Sequence, residues 1–138
     1  MQKSFACLLL GVSFALAPAA AFAQNVKPLP KDPLEDPLLM SAGFLSAHPD
    51  LRYRQLGIEA FKAQKFEDAY RYFQRGAYYA DKASQGMVGE LLWTGRGVAQ
   101  DRAMAYAWMD LAAERGYRGF LGLRERYWAE LSEAERAR

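Results

Sequence analysis

Apolar-glycine pairs recur along this chain at a nearly constant interval. Leu56-Gly57, Val88-Gly89 and Leu121-Gly122 set their glycines 32 and 33 positions apart. A second echo pairs Ala69-Tyr70 with Ala105-Tyr106, followed by Phe73 and Trp108 respectively, and a small residue falls seven positions after each alanine, at Gly76 and Ala112. A period in the thirties marks an array of repeated supersecondary units, none of which can bury its apolar face alone. Glycine inside a helix costs about 1 kcal/mol relative to alanine. Its return at the same point of successive helices therefore predicts close helix–helix approach there.

The stretch between the second and third glycine pairs shows how one unit is built. Residues 91–116 read LLWTGRGVAQDRAMAYAWMDLAAERG. Gly95 is placed to take the left-handed conformation that ends a helix, and Gly97 lets the chain reverse. Val98 returns to the apolar seam, and Asp101 is placed to accept backbone N–H bonds at the head of the next helix. Gly116 closes that helix after Arg115, a favourable cation in a last turn. The interruption predicts a hairpin of two antiparallel helices. Upstream, Tyr53, Leu56, Ala60 and Phe61 form one apolar helical face. Phe66, Ala69, Tyr70, Phe73 and Ala77 form a second, with a break at Gln64-Lys65. Apolar residues recur at three and four, and no run alternates with period two, so the chain reads as all-α. A short helix is expected from Pro37 to Ala47, a new start at His48-Pro49-Asp50, and a capping box from Ser132 and Glu135.

The first residues read differently. MQKSFACLLLGVSFALAPAAAFAQ has Lys3, an apolar run over residues 5–16, and a small-x-small site at Ala21-Phe22-Ala23. This is the layout of a secretory signal over residues 1–23, with cleavage between Ala23 and Gln24. The run is short of the ~20 residues that span a bilayer. Residues 24–37, rich in proline and charge, read as an extended linker. Residues 38–138 then form one helical-repeat domain. Its units lie at about 50–82 and 83–116, and residues 117–138 act as capping helices. The expected location is the periplasm, or the outside after secretion.

Loss of the signal leaves 17 basic and 16 acidic residues and no cysteine, because Cys7 goes with it. Near-neutrality argues against nucleic acid as partner, and an exported chain without cysteine is no disulfide scaffold. Catalytic patterns are missing as well. His48 is the only histidine, which with no mature cysteine leaves no metal cluster, and it reads as a helix-start residue. Glu67-Asp68 and Glu133 with Glu135 read as solvated helix charges. The serines lack a glycine-framed nucleophile turn, and the glycines of GRGV follow no strand, so no phosphate loop is expected. The sequence predicts no enzyme, no cofactor and no metal.

The run V-G-E-L-L-W-T-G-R-G-V-A-Q-D with A-Y-A-W and A-A-E-R-G resembles a Sel-one-like repeat, a branch of the tetratricopeptide superfamily. Val88, Gly89, Gly95, Gly97, Val98, Asp101, Ala105, Trp108, Ala112, Ala113 and Gly116 fit its pattern. Residues 50–83 are similar to an ordinary tetratricopeptide unit through Tyr53, Leu56, Gly57, Phe66, Ala69 and Phe73. Gly76 stands there for the usual alanine, and Ala60 for a more typical tyrosine. The third unit starts at Tyr117 and lacks a second half. The resemblance implies a short α-α superhelix of antiparallel helix pairs that binds protein or peptide.

It also implies that the step four residues after each unit's glycine faces a concave groove. Phe61 and Trp93 occupy that step, and Arg126 takes it in the third unit, with Arg54, Ile58, Lys62 and Glu90 on the same side. The expected site is a groove with an aromatic floor and basic flanks for a partner segment ending in a carboxylate. The open alternative is that Phe61 and Trp93 pack against the linker or the final helix. The expected work is scaffolding or recruiting another envelope protein or peptide. Self-association through Tyr127 and Trp128 is a further possibility. The alternative of another class is an envelope enzyme or binder acting on peptidoglycan or β-lactams. A cysteine-rich secreted subgroup of the family carries that association, and this chain lacks its paired cysteines.

Overall fold

The computed structural model describes residues 40–138. The expected signal, the proline-rich linker, and Leu38 and Leu39 lie outside the described residues. Seven α-helices follow one another among the described residues, with no strand: α1 Ala42–Ala47, α2 Pro49–Lys62, α3 Phe66–Tyr78, α4 Lys82–Thr94, α5 Arg102–Ala113, α6 Arg118–Glu130 and α7 Glu133–Arg136. Each helix from α1 to α5 packs on the next in chain order, with α2 on α3 and α4 on α5 forming the tightest pairs, and α7 packs back on α5. This is the short all-α array of antiparallel helix pairs expected from the repeat. No helix among the described residues is long and apolar enough to cross a membrane.

Local chemistry accounts for the helix ends. Pro49 opens α2, where its missing N–H is no loss. Asp81 caps α4 by accepting the Ser84 N–H at 2.9 Å, and Asp101 caps α5 by accepting the Met104 N–H at 3.0 Å. Gly95 ends α4 with φ 70°, and Gly97 (71°) and Gly116 (76°) share the left-handed region. The Asp101 carboxyl is held below the usual carboxylate range, first by the Met104 N–H and then by Arg138. Ser132 and Glu135 form a reciprocal capping box that opens α7. The first helix starts at Ala42, where Ser41 caps it by accepting the Phe44 N–H, and residues 37–39 of the expected span lie outside the described residues.

The repeated glycines divide into two kinds. A Cβ on Gly57 would meet the Phe73 ring at 2.6 Å, and one on Gly89 would meet the Ala105 carbonyl at 3.0 Å. In both pairs the second helix lies directly against the first at that point. Gly122 differs, with nothing within 4 Å of where its Cβ would stand. The third pair has no full second helix to approach it, since α7 spans only 4 residues. Gly97 makes a separate contact. A Cβ there would collide with the backbone of Phe66 and Glu67, so the joint of the second pair is pressed onto the start of α3.

The core runs through the pairs as a single seam. Ala69, Phe73, Val88, Leu91 and Ala105 are buried in it, and Met109 and Ala112 are buried farther along α5. Tyr127 corrects the expectation of an exposed aromatic patch at the chain's end. It is fully buried, while Trp128 next to it is 42% exposed. The reason is the helical turn of 100° per residue. It points Tyr127 inward onto α4 and leaves Trp128 on the outside, where its ring lies 5.1 Å from that of Tyr106.

Candidate interaction cleft

The first helices of the three units, α2, α4 and α6, line one cleft of about 500 Å³. Its side walls carry Arg54 and Ile58 from α2, Met87 and Glu90 from α4, and Phe120 and Leu123 from α6, while Phe73 and Met109 close the floor. Ile58, Glu90 and Leu123 each directly follow their unit's glycine, so the repeat brings one equivalent position from every unit to one surface. Gly86 leaves the space that Phe120 fills, since a Cβ there would meet the Phe120 ring at 2.6 Å.

A second, more polar hollow of about 490 Å³ adjoins it and shares Arg54, Ala83 and Phe120. Asp50, Asp81, Lys82 and Arg115 also line it. Its charges are largely spoken for. Arg54 pairs with Asp81 at 2.8 Å, with little of either side chain exposed. Lys82 donates to Glu114 at 2.6 Å and to the Leu111 carbonyl at 2.8 Å. That hydrogen bond holds the Glu114 carboxyl below its usual range.

Of the residues expected in the groove, the cleft brings together Arg54, Ile58 and Glu90. The others lie elsewhere. Trp93 stacks flat on Tyr127 at 3.9 Å, and the Arg102 guanidinium stands 4.2 Å from its ring centre. Two groups at stacking distance cannot share one face, so Trp93 is sandwiched between them. Phe61 meets the Phe66 ring edge-on at 5.4 Å, and Arg96 caps both rings. Lys62 is exposed at the end of α2. Arg126 is exposed, 5.8 Å from the Tyr127 ring centre.

Glu90 links the cleft to the sandwich. Its Oε2 accepts the Tyr127 hydroxyl at 2.5 Å. Burial, followed by the hydrogen bond to this carboxylate, pushes the Tyr127 hydroxyl well above the usual tyrosine range. Met87, Phe120 and Leu123 were not singled out from the sequence. Leu123 shared the register of Ile58 and Glu90, and Met87 and Phe120 share another, two residues before their glycines. That second register carries Gln55 in the first unit, which hides the pattern.

Among the described residues no group of three or more His, Cys, Asp or Glu stands together in a way that could hold a metal ion. The cleft offers shape, apolar area and a few fixed charges, the ingredients of non-covalent recognition. No family profile, curated protein or solved structure matches this chain.

Proposed function

We propose that this chain is a Sel-one-like member of the tetratricopeptide superfamily that acts as a non-enzymatic adaptor in the bacterial cell envelope. It holds a segment of a partner protein in the cleft formed by α2, α4 and α6. The observation that carries the reading is the convergence of Ile58, Glu90 and Leu123, equivalent positions of three successive units, on one largely apolar cleft of about 500 Å³. A concave surface assembled from successive repeats is how such arrays bind. The Val88–Gly116 pattern and the signal-like residues 1–23 support the family and the location.

Partner capture from envelope extract tests the reading. The wild-type chain is expected to retain a specific partner that Met87→Lys does not, because a charge placed among apolar walls excludes an apolar guest. Helicity is expected to be unchanged, since Met87 is only half-buried. Equal capture by both proteins would refute the cleft as the binding surface.

A further inference from the structure

We infer that the guest of the α2–α4–α6 cleft is a cationic apolar segment, whose lysine or arginine meets the carboxylate of Glu90. This rests on the reading of the cleft as a peptide site and gives the sign of the charge it selects. The charge balance of the walls carries the inference. Arg54 is already neutralised by Asp81 at 2.8 Å. Lys62 and Arg126 are not among the residues lining the cleft. Glu90 is the remaining charged side chain in the lining. One of its oxygens accepts the Tyr127 hydroxyl, a group that Arg126 also acts on from outside the lining, and none of the ion pairs among the described residues includes Glu90.

An apolar guest that covered Glu90 without a counter-charge would strip water from a carboxylate and leave it unpaired, at heavy cost. A guest that brings a cation removes that cost and gains a charge-assisted hydrogen bond. Ile58, Met87, Phe120 and Leu123 take up the apolar part. The same arrangement acts against acidic guests, whose carboxylates would face Glu90 across a poorly solvated space. Of the basic flanks expected for a carboxylate-ended guest, Arg54 alone lines the cleft, and Asp81 pairs with it.

Selection from a displayed library of random peptides against the full chain tests this. Wild type, Glu90→Gln and Met87→Lys are screened in parallel. The glutamine keeps an acceptor for Tyr127, so the fold and the sandwich are retained. Wild type is expected to enrich peptides with a lysine or arginine beside two or more large apolar residues. Replacing that basic residue by methionine should weaken binding to wild type by about tenfold, a difference of about 1.4 kcal/mol. The same replacement should leave binding to Glu90→Gln unchanged, which isolates the pairwise contact. Peptides that need the cleft but carry no basic residue, or that keep their preference for it with Glu90→Gln, would overturn the inference and leave the cleft reading standing. Identical selections from wild type and Met87→Lys would overturn the cleft reading itself.

Discussion

Gly57 and Gly122 occupy the same register of the repeat, yet their surroundings make opposite demands. At Gly57 a methyl group would enter the Phe73 ring, and relief requires that ring to leave its buried position. Gly57→Ala is expected to destabilise the protein by about 2 kcal/mol through overpacking. At Gly122 the space is open, so Gly122→Ala recovers helix propensity and should stabilise by up to about 1 kcal/mol. Urea denaturation of the two variants checks both signs, and matching signs would contradict the packing described. Asp101 makes a second argument at this scale. Its folded pKa is depressed, so its contribution is present above the unfolded aspartate value and is lost as pH falls through the carboxylate range. Asp101→Ala should lose about 1 kcal/mol at pH ~7. The gap to wild type in thermal midpoint should narrow as pH falls below the unfolded aspartate value of about 3.9 and close only once the folded carboxylate is protonated as well.

At the scale of elements, α6 is fastened to α4 by Phe120 against Gly86 and by one cluster around Trp93, rather than by a broad helix–helix seam. Trp93, Tyr127, Glu90 and Arg102 join three helices through a flat ring stack, a 2.5 Å hydrogen bond and a cation over the indole. Trp93→Ala should cost about 3 kcal/mol, since it empties a sandwiched site. Tyr127→Phe should cost about 1.5 kcal/mol, because it keeps the stack and removes only a hydrogen bond to a charged acceptor. Equal losses for the two would mean that the hydroxyl, and not the stack, holds α6. This cluster also marks the limit of what the sequence made legible. The caps at Asp101 and Ser132 and the turn at Gly95 depend on residues within a few positions, and their side-chain chemistry reveals them. Trp93 depends on Tyr127, 34 positions away, and its choice between groove and core turns on where α6 lies. The cleft was legible in part for the same reason. Ile58 and Glu90 follow from the repeat register, whereas Phe120 enters the cleft only because Gly86 stands opposite it.

For the whole molecule the third unit serves as a lid for the second. Truncation after Gly116 removes α6 and α7 and uncovers Trp93, Met109 and the Glu90 carboxylate together. The shortened chain is expected to show no cooperative thermal transition and to scatter light at concentrations where the intact chain stays clear. A sharp melting curve from the truncated form would refute the capping role. Another property follows from the order in which the helices touch. Nearly all packing joins elements adjacent in the chain, so few contacts require distant segments to find each other first. Such a topology folds quickly, on the microsecond-to-millisecond scale typical of local-contact helical proteins, and it opens progressively from its ends. Neither α1 nor α7 has a buried residue. Amide exchange should therefore be rapid at both extremities and slowest around Val88 and Ala105, so that the innermost turns of α4 and α5 record the global opening of the protein.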